Sequence, residues 1–266
     1  MEVQLQGKSN YIKRHHYALL IVPRKILNMT LQLNNTRKGC HDIWNAFMCE
    51  GAKFSNHDIP FCPTTATSLP EGIILWDEAK RLYRNALARK DPDFFCNAFV
   101  CFYMDDYKFD GARGIWNNSA YALKVLRHFA GVITPDFSTY QDFPEPLKIY
   151  NTYRMRAFGY WLGKNGIVVI NNIRWGTPET WAYCWDGAPK CSILSIGTVG
   201  GSPRKLIDRK RFEEGLEELV RVLQPHTIIV YGSANYPCFD RLIEHGIKVA
   251  SYPSQTASAF ERRRAR

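Results

Sequence analysis

The sequence lacks any apolar run long enough to cross a membrane. A membrane-spanning helix needs about 20 apolar residues, and the longest candidate, Tyr17–Pro23, is far shorter. Lys13 and Arg14 precede this run as they would in a signal peptide, but Arg24 and Lys25 follow it, where a small-residue cleavage site would be needed. The run therefore favours a β-strand in a cytoplasmic protein with no membrane partner.

The cysteine pattern gives little support to a zinc site. The chain has eight cysteines but no Cys-x-x-Cys pair, and several of them lie in apolar runs such as Phe95–Phe102. This arrangement is typical of reduced, buried thiols. Cys49, His57 and Cys62 form the best candidate metal set, but their spacing does not match the usual zinc patterns. We therefore predict no protein-bound zinc.

Three catalytic signatures are also absent. The chain contains no P-loop, no dinucleotide-binding fingerprint and no Gly-x-Ser-x-Gly nucleophile motif. His128, His226 and His245 fall among the predicted strands and helices, but each precedes a strand rather than following one. Because catalytic groups gather at the carboxyl ends of parallel strands, histidine-based catalysis is not expected.

Positive charge is what the chain has in excess. Its formal net charge is +10, with a pI near 9.2, which favours an anionic partner through long-range attraction. The charge is concentrated in Arg204–Arg211 and in the terminal Arg262–Arg266. The terminal run is interpreted as a solvated tail, with contact to nucleic acid as the alternative.

The length of 266 residues fits one α/β domain. We assign that domain to residues 41–260, with an N-terminal extension or hairpin in residues 1–40 and a basic tail in residues 261–266. Oligomeric state is left open.

Short apolar segments alternate with helical patterns over most of the chain. The strand-like segments are residues 97–104, 131–134, 167–170, 192–196, 227–231 and 247–250, and the helical patterns cover residues 75–89, 120–129, 144–162, 178–184, 208–223 and 235–245. This alternation implies an α/β fold with a mostly parallel sheet covered by helices. We expect a barrel-like, TIM-like closure in which residues 1–40 supply two further strands. An open doubly wound sheet is the alternative.

In both architectures, ligands bind where the parallel strands end. Asp136 follows the second predicted strand, where a carboxylate is placed for general-base or ligand-orienting work. Asn172, Arg174 and Trp175 lie at the end of the third, and we assign Asn172 to ligand binding and Arg174 to a phosphate clamp. Trp175 is either a ligand contact or a cap on the core.

The long helical pattern carries Arg154 among aromatic residues, together with Asn151. A buried guanidinium needs a partner, so Arg154 is either a second ligand clamp or part of an internal salt bridge to Asp136 or Asp142. Asn151 is assigned to ligand binding.

A glycine-rich segment follows the fourth predicted strand. Glycines there let backbone N–H groups converge on an anion, and nearby hydroxyl and cationic groups add to that attraction. The candidate anion-binding residues are Gly197, Thr198, Gly200, Gly201, Ser202, Arg204 and Lys205. A glycine-rich turn without a ligand is the alternative.

Carboxylates follow the first predicted strand. Asp105, Asp106 and Asp110, with Asp136, are candidates for holding Mg²⁺, which needs only one or two carboxylates when a phosphate supplies other ligands. The alternative is a turn, because Asp110 precedes Gly111.

Several motifs resemble a domain-of-unknown-function family of phages and mobile genetic elements. The matching runs are Ile59–Ala66, Gly131–Ser138, Ile149–Arg156, Asn172–Gly176 and Ser195–Gly201. The resemblance extends from about residue 45 to the C-terminus. It implies a mobile-element context and carries no catalytic assignment.

Two functional hypotheses follow. The first is a protein that binds a nucleotide or nucleic-acid phosphate and hydrolyses or transfers at it, with Asp136 as base or metal ligand and Mg²⁺ as the cofactor to consider. The second is a non-enzymatic nucleic-acid-binding or host-interaction protein on the same scaffold.

Overall fold

The computed structural model describes residues 41–199, 206–255 and 257. The chain divides into two compact units, residues 1–51 and 52–266. In the first unit, residues 41–51 are described and contain a short 3-10 helix, Ala46–Cys49. The strands expected in residues 1–40 and the basic tail lie outside the described residues. The sheet and α-helices described below belong to the second unit.

Parallel strands alternate with helices along the second unit. The strands are β1 Ile73–Leu75, β2 Cys96–Cys101, β3 Phe129–Ile133, β4 Val169–Asn172, β5 Ile193–Gly197, β6 Thr227–Tyr231 and β7 Lys248–Tyr252. The α-helices are α1 Trp76–Ala88, α2 Ser119–Leu126, α3 Glu145–Lys164, α4 Leu206–Leu223 and α5 Pro237–Glu244. Two 3-10 helices, Asp106–Lys108 and Pro178–Ala182, lie in the connections after β2 and β4.

The strands neighbour one another in chain order, from β1 to β7, and all pairings are parallel. The predicted α/β class with a mostly parallel sheet and alternating helices is therefore confirmed. Strand β1 was not predicted from the sequence, because its three residues run directly into the pattern of α1. The helix predicted at residues 178–184 is instead the shorter 3-10 helix.

The sheet curls strongly. The Tyr103 ring, just past β2, stacks on the Tyr231 ring at the end of β6, with 5.0 Å between centroids. In a flat sheet, four strand spacings would separate β2 from β6 by about 19 Å. The curl therefore brings distant strands together on the concave face. That face is lined by Phe99, Tyr103, Ile133, Ile170, Ile193, Ile229 and Tyr231.

The described sheet is open. Within the described residues, β1 pairs with β2 and β7 with β6, so the preferred barrel closure is not confirmed and the open alternative fits. Across the gap, the Tyr252 hydroxyl donates to the carbonyl of Pro70 at 2.5 Å. The strand order does not reverse as it does in a doubly wound sheet. Accordingly, α4 and α5 pack on the opposite, convex face against Ile228 and Val230.

Helix α3 is buried around most of its circumference. A Cβ on Gly159 would lie 2.4 Å from Thr134 Cγ2, which shows how closely the helix approaches the end of β3. Arg156 on the same helix is completely buried and donates to the carbonyls of Asn172, Cys184 and Asp186 at 2.8, 3.3 and 3.0 Å. Burial lowers the pKa of this guanidinium.

Among the described residues, no helix has the length and apolar character required to span a membrane.

Gly187 provides a test of this packing. It has a φ of +71°, and a Cβ there would lie 2.2 Å from the carbonyl oxygen of Pro60. Gly187→Ala should lower the free energy of unfolding by about 2–5 kcal/mol, since left-handed strain and overpacking act together.

Gly166→Ala is the matched control. Gly166 has a φ of +81°, and a Cβ there would have no atom within 4 Å, so the expected loss is only the backbone strain, about 1–2 kcal/mol. Equal losses in chemical denaturation would contradict the packing described here.

Candidate functional site

A cleft of about 150 Å³ opens where β4 and β5 end. Its walls come from the segment after β4, the end of β5, the first turns of α4 and the loop before α3. The lining residues are Gln141, Ile173, Arg174, Trp175, Gly176, Thr177, Gly197, Asp208, Arg211 and Phe212. Three sequence-predicted residues, Arg174, Trp175 and Gly197, thus meet at one cleft.

Arg174 is held by a single ion pair. Its Nη1 donates to Asp136 Oδ2 at 2.8 Å, with the Arg174 and Asp136 side chains 23% and 9% exposed. The negative charge of Asp136 raises the pKa of Arg174, which keeps it cationic. Among the described residues, this guanidinium has no other acceptor. Its remaining N–H groups are therefore not committed to the described part of the protein.

Asp136 is anchored from the core. Its other oxygen, Oδ1, accepts from Asn172 Nδ2 at 2.9 Å, and Asn172 Oδ1 accepts from the Tyr103 hydroxyl at 2.9 Å. The same hydroxyl lies 2.7 Å from Ser195 Oγ. Burial, and then the charge of Asp136, raise the pKa of Tyr103, so the phenol stays protonated. Asn172, predicted to bind ligand, is fully buried and supports Asp136 instead of lining the cleft.

Arg211 lines the same cleft from α4. Its Nη1 donates to Gln141 Oε1 at 2.9 Å, and the backbone carbonyl of Gln141 accepts from Lys148 Nζ at 2.8 Å. No sequence pattern singled out Gln141, Asp208 or Phe212. The signal for Arg211 was its place in the basic run and in the first turns of a predicted helix.

Trp175 has both of the roles considered for it. Its ring packs on Phe212 and Trp185, with centroid distances of 5.2 and 5.9 Å, and a Cβ on Gly215 would lie 2.1 Å from its Nε1. Trp175 therefore joins the convex-face core and also lines the cleft.

The rest of the glycine-rich segment contributes less than predicted within the described residues. Thr198 is buried, and its Oγ1 donates to the carbonyl of Ser233 at 2.9 Å. The candidate residues Gly200, Gly201, Ser202, Arg204 and Lys205 lie outside the described residues.

Arg154 and Asn151 belong to a separate polar cluster and do not line the cleft. Arg154 lies 3.8 Å from the Phe137 ring centroid and donates to Asp110 Oδ2 at 2.7 Å, so the predicted partners Asp136 and Asp142 are wrong. Asn151 Oδ1 also accepts from this guanidinium, at 2.7 Å from Nη2.

Each of the predicted acidic residues has its own partner in the protein. Asp106 accepts from the backbone N–H and the hydroxyl of Ser138, at 3.0 and 2.8 Å, and burial raises its pKa. Asp105 pairs with Lys108, and Asp110 and Asp136 pair with arginines. The described residues contain no group of three or more His, Cys, Asp or Glu side chains that could hold a metal ion.

The hydrogen-bond network of the Tyr103 hydroxyl with Asn172 and Ser195 should contribute measurably to stability. Tyr103→Phe should lower the free energy of unfolding by about 1–3 kcal/mol, because Asn172 and Ser195 lose a buried hydrogen-bond partner. Tyr121→Phe, on the exposed side of α2, is the control and should change stability by less than about 0.5 kcal/mol. Equal unfolding midpoints for the two variants would argue against the network.

Comparison with known proteins places the chain in a phage context. The model of a domain of unknown function, DUF4417, matches residues 53–253. The chain is 28% identical over 220 residues to the Gene 1 protein of Mycobacterium phage D29, covering 83% of this chain and 75% of that protein. It is 33% identical over 153 residues to the Gene 1 protein of Mycobacterium phage L5, covering 58% of this chain and 63% of that protein. No solved structure matches the chain. These matches confirm the resemblance to a phage family, and the chain belongs to the DUF4417 family.

Proposed function

We propose that this protein binds a phosphorylated ligand, a nucleotide or nucleic acid, in the cleft at the ends of β4 and β5. The observation that carries the proposal is the position of the Arg174 guanidinium, which lines the cleft. One of its N–H groups donates to Asp136, and the other N–H groups have no acceptor among the described residues. A guanidinium offers five N–H donors in a fork that matches phosphate oxygens. Charge-assisted pairs of this kind are strong and directional.

The support behind Arg174 favours a preorganised site. Ser195 contacts the Tyr103 hydroxyl, Tyr103 holds Asn172, Asn172 holds Asp136, and Asp136 holds Arg174. Binding sites work best when supporting contacts already fix the rotamers of the binding groups. The ligand therefore meets a guanidinium whose orientation has been set by the fold.

Arg211 supplies the second cation. Its contact with Gln141 is between a charged donor and a neutral amide oxygen, which is a weaker acceptor than a phosphate oxygen. An arriving phosphate would exchange that amide contact for one in which donor and acceptor are both charged. Two guanidinium groups of the cleft would then bind the anion.

Asp136 is better placed as an anchor than as a base. A general base must reach the proton that it abstracts, but both Asp136 oxygens accept hydrogen bonds from protein groups. Binding is thus the better-supported part of the proposal. Hydrolysis or transfer at the phosphate is its further part, to be tested by product analysis with and without Mg²⁺.

Arg211→Met provides the primary test. Isothermal titration with adenosine 5′-monophosphate and with ribose 5-phosphate should show binding weakened by about 1.5–3 kcal/mol, the range for hydrogen bonds to charged groups. Melting temperature should stay unchanged, because the contact with Gln141 is exposed. Arg221→Met, in the same helix, is the control and should bind as the unaltered chain does. Unchanged binding by Arg211→Met would reject the cleft.

Arg174→Lys tests the contribution of the Arg174 guanidinium to phosphate binding. Lysine keeps a positive charge beside Asp136 but loses the fork, so binding of both probes should weaken by about 1.5–3 kcal/mol while the fold stays cooperative. A drop in melting temperature with binding intact would identify Arg174 as a purely structural ion-pair partner.

Asp208 is the carboxylate that lines the cleft, in the first turn of α4. If the anion binds without a cation, Asp208→Asn should strengthen binding by about 0.5–1 kcal/mol by removing repulsion across solvent. Titrations of Asp208→Asn with and without Mg²⁺ distinguish binding of the anion alone from binding with a cation. Weaker binding by the variant only when Mg²⁺ is present would show that Asp208 contacts a phosphate-bound cation.

The excess positive charge of the chain favours the second candidate, a nucleic-acid-binding protein without turnover. Lys210, which precedes Arg211 on α4, is 78% exposed and lies 3.8 Å from Glu214, so it can also contact a phosphate. Such binding should weaken steeply with salt, with a slope set by the number of phosphates contacted. Salt-dependent retention of DNA or RNA that is unaffected by Arg211→Met would favour this candidate over the cleft.

A further inference from the structure

The size of the cleft limits what it can enclose. Sites for complete small-molecule ligands usually measure about 300–1,000 Å³, whereas this cleft measures about 150 Å³. A ligand of nucleotide size would therefore place one part, such as its phosphate, in the cleft. The rest would lie on the adjoining surface.

The adjoining surface carries an exposed aromatic ring, Tyr140. This residue directly precedes Gln141 in the cleft wall, and its side chain is 53% exposed. The phenol of Tyr140 also contributes, after Asp136, to raising the pKa of Arg174. Tyr140 thus adjoins the cleft through its neighbour Gln141.

The segment that bears Tyr140 is fixed on both sides. Before it, Asp106 accepts two hydrogen bonds from Ser138, and after it Gln141 is held by Lys148 and Arg211. The backbone N–H of Phe143 donates to the carbonyl of Tyr140 at 3.0 Å.

The ring itself also has a packing partner. The Phe143 ring lies nearly perpendicular to it, at 85°, with 5.3 Å between centroids. This contact restricts the motion of the half-exposed Tyr140 ring, which lowers the entropic cost of stacking a ligand on its exposed surface.

Single exposed aromatic residues are common on protein surfaces and need no functional explanation. Tyr107 is such a residue, with a side chain that is 79% exposed. Tyr140 differs in its position beside the cleft and in the contacts that fix its segment. These two features together are what point to a ligand.

We propose that Tyr140 is a stacking platform for the nucleobase of a ligand whose phosphate is bound by Arg174 and Arg211. This inference rests on the proposed function and narrows its ligand class to nucleotides, either free or at an accessible position in a single strand. Stacking uses the face of a base, which all bases share, so purine and pyrimidine nucleotides should both bind. The binding affinity should therefore differ little between nucleotides with different bases.

The experiment compares adenosine 5′-monophosphate with ribose 5-phosphate, which lacks the base, by isothermal titration on the full chain. Tyr140→Leu should weaken binding of the nucleotide by about 5- to 150-fold, as expected when one stacked base is lost. It should leave ribose 5-phosphate binding unchanged. Tyr140→Trp should retain or improve nucleotide binding.

Tyr107→Leu is the matched control and should bind both probes as the unaltered chain does. Melting curves accompany each titration, because a destabilised Tyr140→Leu would weaken both probes together. Equal weakening of both probes, or unchanged nucleotide binding, would overturn the stacking role. The proposed phosphate site would still stand if Arg211→Met weakened both probes.

A single-stranded oligothymidylate provides the second arm of the test. Binding of this oligonucleotide, but not of the mononucleotide, with loss in Tyr140→Leu, would support stacking and identify a strand as the source of the base. Failure of the unaltered chain to bind any of the three probes would reject the proposed function and the stacking inference with it.

Discussion

The hydroxyl of Tyr103 is the interaction on which the candidate site depends. It lies between Asn172 and Ser195, so one phenol from just past β2 joins the end of β4 to the middle of β5. That reach is available only because the sheet curls enough to stack Tyr103 on Tyr231. A flat sheet would leave these strands too far apart, and Asp136 would lose the amide that orients it. The curvature therefore has a direct consequence for the geometry of Arg174.

Three arginines close in sequence differ in how much of their hydrogen-bonding capacity the described residues use. Arg156 is wholly buried and donates to three main-chain carbonyls, and Arg154 is enclosed by aromatic rings and paired with Asp110. A buried guanidinium left without partners would be costly, so these contacts are requirements of the fold. Arg174 is partly exposed and makes one contact with the described residues. It is the member of the three whose hydrogen-bonding capacity remains for a ligand.

The fold class was predictable because short apolar strands and amphipathic helices leave periodic patterns in the sequence. The strand Thr227–Tyr231, for example, matches the predicted residues 227–231. Pairings between side chains leave no such pattern. Asp110 lies 44 residues from Arg154, and nothing local distinguishes it from Asp136 or Asp142 as a partner. Gln141 and Phe212 likewise join the cleft through the curl of the sheet and the placement of α4, which no local motif encodes.

The position of the cleft has its own structural cause. An open sheet with reversed strand order forms a ligand crevice at the point of reversal, but this sheet runs from β1 to β7 without reversing. The connection between β4 and β5 contains the 3-10 helix Pro178–Ala182 in place of an α-helix. Helix α4 meets the segment after β4, where Trp175 packs on Phe212 and over Gly215. Because Gly215 has no side chain, the indole can lie against the helix while Arg174, its neighbour, lines the same cleft as Arg211. The close approach that Gly215 permits therefore brings residues of α4 and of the segment after β4 into one cleft.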